Sequence, residues 1–501
     1  MKKIIINNSP WQIRIGITWK NRLENIYFSS PTRKIIERAY FKGVITKVLP
    51  GIQTAFVDIG QERAGFLHIS EIDHELALQN MARDLEYESE ETEPEHSGQK
   101  KKKDIANIFT EGDSVLVQVS KEPIYEKGAK LTTCFTLPGR FLVLMPNIPR
   151  IGVSKKIEDV QERIRLKKII SAHMPKHMGA IIRTTSQDCQ EPELLKDLEY
   201  LLKEWAKIEK QFARAKPTEK LYEDLPLSMQ ILRDHLDSSI EAVITNDKKD
   251  MQELYAFAKM ISPEHAHKIS LFTEKTDIFE FYSIQKQIEL ALDKRTNLKS
   301  GGSIIIETTE AMTVIDVNTS KFTGKTNLED TIFKTNVEAA EEVVRQLKLR
   351  NIGGLIVIDF IDMKSTSNKQ KLLAVFEKNL KERDKFQSVV LRISEFGLIQ
   401  MTRKRSGKTL SRQLTTHCKQ CSGLGIVKSP QTNCYEILRN VIKEYSDNPP
   451  KNPITLELHP DIFSHATSTE FNAILALEKE LGCQITLMAN KSIALNSYKV
   501  S

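Results

Sequence analysis

The chain has 501 residues, with 73 Lys and Arg against 66 Asp and Glu and a formal net charge of +7. That length supports several domains with ordinary cores, and the modest basic excess suits a polyanionic partner without demanding one. Apolar runs such as Phe141 to Met145 and Leu355 to Ile358 are far too short to span a bilayer. The amino terminus lacks the long apolar stretch of a signal peptide, and six cysteines in a chain of this size do not make a secreted disulfide scaffold, so a cytoplasmic protein is expected.

Up to about Arg38, apolar and polar residues alternate in hairpin fashion, as between Trp11 and Trp19. Short β-rich stretches from Gly43 to Glu71 and from Asp113 to Phe135, broken by Gly and Pro, predict a small barrel. Between them lie acids from Glu86 to Glu95 and then Lys100 to Lys103, a composition expected of a disordered, solvated loop. The segments from Arg140 to Pro146 and from Met178 to Thr185 read as strands, and those from Pro192 to Phe212 and from Ile284 to Asp293 as helices. After about Lys428, strand-like runs from Ile454 to Leu458 and from Gln484 to Met488 flank a helix near Thr467 to Leu481, a small separate α/β unit.

Before that unit come two aspartates, each closing an apolar strand: Asp316 after Met312-Thr-Val-Ile, and Asp359 after Leu355-Ile-Val-Ile. An amphipathic stretch from Leu328 to Arg350 joins them, with Asn327 as N-cap and Gly353 as stop. A strand, a crossover helix and a strand make parallel neighbours, so both carboxylates open on one sheet edge. Hard divalent cations take one or two carboxylates and keep water and substrate phosphates on their other positions. One Asp at a strand end often only caps a turn; two, with Asn318 nearby, favour a metal.

In the barrel, Phe56, Phe66 and Lys127 are candidate contacts for stacked bases and phosphates, although alternating Phe alone is more often core. Cys418 and Cys421 have zinc-knuckle spacing, yet tetrahedral zinc wants four ligands and the chain offers no second close pair. A second chain could supply the other half; a redox dithiol and an incomplete site are the alternatives. Cys134, Cys189, Cys434 and Cys483 read as buried, inert thiols.

The runs Thr313 to Ser320, Thr335 to Ala340, Arg345 to Arg350, Gly353 to Met363, Phe396 to Arg405 and Cys418 to Gly425 resemble the catalytic region of the bacterial ribonuclease E/G family. Lys127 to Thr133, Leu142 to Asn147 and Gly179 to Thr184 extend the likeness over nearly the whole chain, which looks like the compact ribonuclease G kind. The resemblance implies a multidomain α/β and α+β fold. Its parts would be a ribonuclease H-like subdomain in two pieces (1–35 and 228–291), an inserted OB-fold barrel (36–133, with the charged insertion at about 84–104) and a 5′-phosphate sensor (134–227). A DNase I-like catalytic domain (292–414), a zinc-link (415–428) and a small C-terminal domain (429–501) would complete it.

The implied activity is Mg²⁺-dependent, single-strand-specific endoribonuclease cleavage of AU-rich RNA to 5′-phosphate and 3′-hydroxyl ends, in rRNA and tRNA processing and mRNA decay. Asp316 and Asp359 would hold Mg²⁺ and Asn318 would bond the scissile phosphate. Gly139, Val143, Arg183 and Thr184 would form the 5′-phosphate pocket. Cys418 and Cys421 would share structural Zn²⁺ across a homodimer or higher oligomer. Asp362 would be structural, facing away from Asp359 on the same strand, and the basic run from Arg403 to Lys419 would line the RNA path. The acidic and Lys-rich insertion, Lys419 in place of a common Pro, and Glu395 in place of a common basic residue depart from the pattern. The competing reading is a non-catalytic RNA-binding factor in ribosome assembly or translation, whose mark would be a lost metal ligand; a DNA-directed metallonuclease is a third.

Overall fold

The computed structural model describes residues 2–30, 35–72, 87–88, 104–123, 128–319, 328–384, 386–405, 407–421, 423–445 and 453–500. It divides into two compact units, Met1–Ser411 and Arg412–Ser501.

In the first unit, the amino-terminal hairpins form a five-stranded sheet in the order Ile269–Leu271, Ile240–Thr245, Lys2–Ser9, Gln12–Trp19, Arg22–Ser29. Lys2–Ser9 pairs in parallel with Ile240–Thr245, so everything between residues 30 and 239 is inserted between two strands of one sheet. Both faces are buried, with Ile4, Ile6, Ile15 and Ile17 in one cluster and Ile5 and Leu23 in another. This explains why Ile4, Ile5 and Ile6 run together without alternating.

The insertion begins with a barrel of Tyr40–Leu49, Thr54–Asp58, Gly65–His68, Lys130–Thr132 and Ser114–Lys121, closed because the last of these pairs back onto the first. It is a five-stranded barrel of the OB-like kind, with Ile45, Ala55, Val57, Leu67, Val117 and Leu131 inside. Gly43 permits the closure, since a Cβ there would lie 2.4 Å from Val57. A neighbouring sheet orders Leu137–Pro138, Leu142–Met145, Gly179–Ile182, Ile151–Ser154 and Tyr87–Glu88. The final pair comes from the charged tract expected as a free loop: Tyr87 and Glu88 pair with Ser154 and Val153. The rest of 73–103 lies outside the described residues, as does Lys127.

The two aspartates sit in a six-stranded sheet ordered Arg295–Asn297, Ser303–Thr308, Met312–Asn318, Gly354–Asp359, Leu398–Arg403, Ser388–Val390. The helices Leu328–Leu349 and Thr366–Arg383 cover one face, where Ile315, Val317, Ile356, Ile358, Ile399 and Met401 meet Ala340, Val343, Val344, Leu372 and Phe376. The alternate residues Val314, Asn318, Leu355 and Asp359 are exposed and Asp316 is half-buried. The same parity corrects the expectation for Arg403. It falls on the covered face, 3% exposed, where its guanidinium bonds both oxygens of Asp384 at 2.6 and 3.0 Å and the Ile352 carbonyl at 2.6 Å. Arg403 therefore braces the sheet.

The second unit is a three-stranded sheet, Ile485–Ala489, Ile454–Leu458, Tyr498–Val500, packed on Pro430–Tyr445, Pro460–Ser468 and Phe471–Leu481. The helix expected near Thr467 to Leu481 is in fact the end of one helix and the whole of the next. The first stops where the Ser468 hydroxyl bonds back to the Ser464 carbonyl at 2.6 Å, the local competition that makes Ser a poor helix-interior residue. Among the described residues no helix is long and apolar enough to cross a membrane.

Candidate active site

The parallel pairing of Met312–Asn318 with Gly354–Asp359 sets Asp316 directly beside Asp359. Asn318, two residues on and therefore on the same face, donates from Nδ2 to Asp316 Oδ2 at 2.6 Å. Asp359 titrates above the usual carboxylate range, first because of desolvation and then because of the charges of Asp316 and Asp362. Among the described residues neither Asp316 nor Asp359 has a Lys or Arg ion-pair partner, so a divalent cation would relieve the repulsion between them. No three His, Cys, Asp or Glu side chains there form a complete metal cage. Two carboxylates with the other positions left to water and phosphate are the donor set Mg²⁺ favours in phosphoryl chemistry.

Asp362 departs from the sequence reading. The strand ends at Asp359, so alternation does not carry on to residue 362, which lies in the loop beyond and is exposed. Its charge acts on Asp359, and Oδ1 lies 3.3 Å from where a Cβ on Gly397 would stand.

On the barrel, Phe56 and Phe66 face each other across neighbouring antiparallel strands. Both are half-buried, between the core residues Ala55, Val57 and Leu67, and so belong to the outer wall. Register extends this pair into a row: Lys47 stands opposite Phe56 and Lys130 opposite Phe66. Lys130 is ion-paired with Glu71, and Lys47 is exposed. Sequence reasoning missed both lysines. Lys47 could have been found from the alternation of its strand, but its match to Phe56 passes through a bulge between Ile45 and Lys47.

Of the four residues expected to form the 5′-phosphate pocket, contacts in and beside the neighbouring sheet join Arg183 and Gly139 directly. Arg183 Nη1 donates to the Gly139 carbonyl at 2.7 Å and to Asp234 Oδ1 at 2.8 Å. Val143 stands opposite Ile181 and is buried, while Thr184 is exposed. The loop carrying Gly139 is held by Asp197, whose carboxylate accepts the amides of Arg140, Phe141 and Leu142 at 3.1, 2.9 and 3.0 Å. Burial pushes the Asp197 pKa up while those three bonds pull it down. A Cβ at Gly139 would lie 2.5 Å from this carboxylate, which is why glycine stands there. Asp234 is held well below the ordinary range: burial works to raise it, but Arg183 and Arg233 outweigh that.

In the second unit, Cys418 is exposed and Cys421 half-exposed. The amides of Cys421 and then Gln420 donate to the Cys418 sulfur and hold its thiol below the usual range, and Gly425 N–H donates to Cys421 Sγ at 3.4 Å. Amides donating to sulfur favour the thiolate, the form that binds metal or enters thiol–disulfide exchange. No further Cys or His completes the set among the described residues.

Paired acidic strand ends on one sheet, together with a barrel wall carrying aromatics and lysines, fit a phosphodiester-cleaving enzyme that works on nucleic acid. Comparison with known proteins gives the same class. Residues 136–406 match the ribonuclease E/G family model, and residues 417–501 match the RNase E/G thioredoxin-like domain. Ribonuclease G of Escherichia coli is 37% identical over 441 residues, covering 88% of this chain and 87% of that protein. Ribonuclease G of Haemophilus influenzae is 39% identical over 443 residues, with the same coverage. Ribonuclease E of Buchnera aphidicola is 33% identical over 514 residues, spanning all of this chain and 50% of that protein. The chain belongs to the ribonuclease E/G family as a ribonuclease G-like member, and is an endoribonuclease.

Proposed function

We propose that the protein is a Mg²⁺-dependent, single-strand-specific endoribonuclease that cuts AU-rich RNA to 5′-phosphate and 3′-hydroxyl ends. In this reading it serves rRNA and tRNA processing and mRNA decay in the cytoplasm. The observation that carries it is the register of Asp316 with Asp359 and the bond from Asn318 to Asp316. Asp316 and Asp359 would hold the cation, which supplies Lewis-acid stabilisation of phosphoryl charge and an activated water when bound. Asn318 holds Asp316 in one orientation and keeps a second amide hydrogen for a phosphate oxygen. Phe56 and Phe66 stack bases while Lys47 and Lys130 track the backbone, with Lys127 as a further contact; this row grips single strands because only unpaired bases expose their faces. Arg183 and Thr184, with Gly139 and Val143, receive a terminal phosphate dianion in preference to an internal diester. In this assignment the first sheet is ribonuclease H-like and the six-stranded sheet DNase I-like. Cys418 and Cys421 supply half of a Zn²⁺ site whose other half comes from a second copy, making a homodimer.

The test is cleavage of 5′-monophosphorylated, fluorescently tailed AU-rich RNA by wild type and Asp316→Asn, with Mg²⁺ and with EDTA. Internal cuts that need metal and vanish in the variant are expected. Tight binding without cutting by wild type in Mg²⁺ would overturn the metal-centre reading.

A further inference from the structure

We propose that Asn336, on the helix joining the two aspartate strands, is the positioning residue that fixes the Asp359 end of the metal site; this rests on the carboxylate reading above. Asn336 is fully buried. Its side chain forms a two-way clamp on one peptide position: Nδ2 donates to the Ile361 carbonyl at 2.8 Å, and Oδ1 accepts the Ile361 amide at 3.1 Å. Ile361 lies in the loop that begins where the strand ends at Asp359 and that also carries Asp362. Without Asn336, both backbone groups would be left unmatched, a costly state away from water. The amide side chain therefore does for this loop what a neighbouring strand would do for a sheet residue.

The same helix reaches the other strand and the far end of the loop. A Cβ at Gly302 would lie 3.2 Å from the Thr335 methyl and 2.8 Å from the Asn318 carbonyl, so Thr335 borders the end of the Asp316 strand. In the first turn, Glu329 accepts the amides of Lys364 and Ser365 at 3.3 and 3.1 Å and Asn368 Nδ2 at 3.3 Å. One rigid helix thus holds the loop after Asp359 at two points and touches the strand of its partner at a third. Asp316 and Asp359 are register partners on neighbouring strands, so their like charges repel at short range. Strand pairing holds the backbone as far as Asp359; beyond the strand, buried Asn336 holds the loop from Ile361.

The experiment uses the full chain with Mn²⁺ as the probe, titrated by electron paramagnetic resonance. Thermal midpoint, and kcat and KM on 5′-monophosphorylated single-stranded RNA, are measured alongside. The variants are Asn336→Leu, which keeps the branched shape and loses both bonds, and Asn336→Asp, which keeps an acceptor and loses the donor. Val343→Ala, a fully buried core residue of the same helix, is the stability control, and Asp316→Asn tests the site itself. Asn336→Leu is expected to lower Mn²⁺ affinity and kcat about 10- to 100-fold, the usual effect of removing an outer-shell support, with KM nearly unchanged. Asn336→Asp should fall between it and wild type, and Val343→Ala should lose thermal stability while keeping Mn²⁺ affinity. Wild-type Mn²⁺ affinity in both Asn336 variants, or losses no larger than those of Val343→Ala at equal thermal midpoint, would overturn the role. If Asn336→Leu does not fold, Asn336→Asp decides. Asp316→Asn binding Mn²⁺ as wild type does would instead overturn the carboxylate reading and the proposal with it, whatever the Asn336 variants do.

Discussion

The open face of the six-stranded sheet and the outer wall of the barrel follow one rule of construction and differ in how they treat charge. Each buries alternate residues and turns the others outward. On the sheet, the outward positions place two carboxylates side by side without a cationic partner among the described residues. On the barrel, they place two aromatics side by side with a lysine at either end of the row. Unrelieved charge is what a metal-assisted reaction uses, whereas a flat apolar pair bordered by cations is what a flexible polyanion binds. On the proposed function, turnover belongs to the sheet and grip to the barrel, so substitutions should separate kcat from KM.

The largest effect should come from Asp316→Asn, which is expected to lower kcat on the order of 10³-fold with RNA affinity nearly unchanged, as for loss of a preorganised electrostatic group. Single-turnover cleavage and a filter-binding assay distinguish the two; an equal loss in binding would erase the contrast with the barrel. Next comes Arg403→Ala on the covered face of the same sheet. Breaking its buried pair with Asp384 should cost about 3–5 kcal/mol of stability, by urea denaturation, because a buried charge is left alone. RNA affinity below the transition should hold, since Arg403 is buried on the covered face and spends its guanidinium on Asp384 and Ile352.

Arg183→Ala should reduce the preference for 5′-monophosphorylated over 5′-hydroxyl RNA by about 1.5–3 kcal/mol, the range for a hydrogen bond to a charged group. Competition cleavage of the two RNAs measures it. Asp234 would keep its bond to Arg233, so the fold should survive. Phe56→Ala should raise KM by about 1–3 kcal/mol, the value of one stacked base, and leave kcat at saturation alone. A fall in kcat at saturating RNA would show that the barrel also orients the scissile bond.

The smallest effect is a pH dependence. Because the Asp359 pKa is raised in the fold, the folded state binds more protons than the unfolded one between the ordinary aspartate value and the raised value. Stability from this group therefore declines as pH rises through that window and returns as pH falls. Asp359→Asn should flatten that segment of the stability–pH curve, and wild-type cleavage should fall as pH is lowered through the same window, since the protonated carboxyl is a poor cation ligand.

Much of this was legible in the residues. Apolar runs ending in Asp316 and Asp359, with an amphipathic stretch between, specify a parallel pair with both carboxylates at one edge, because strand alternation and crossover handedness are local rules. Hairpin alternation near the amino terminus and the β-rich stretches around Phe56 and Phe66 likewise read directly as strands. Other features depend on partners far away in the chain. Asp384 turns Arg403 from a surface cation into a brace, and Asn336 meets Ile361 only because the helix folds back across the sheet. A bulge brings Lys47 into line with Phe56, and the strand stops at Asp359, releasing Asp362 from the alternation that would have turned it away. Periodicity is written in neighbouring residues, so the sequence by itself determined which segments become strands and helices and which faces they bury. Register, bulges and the partners of buried polar groups are settled only when distant segments pack, and the tertiary structure alone decided those.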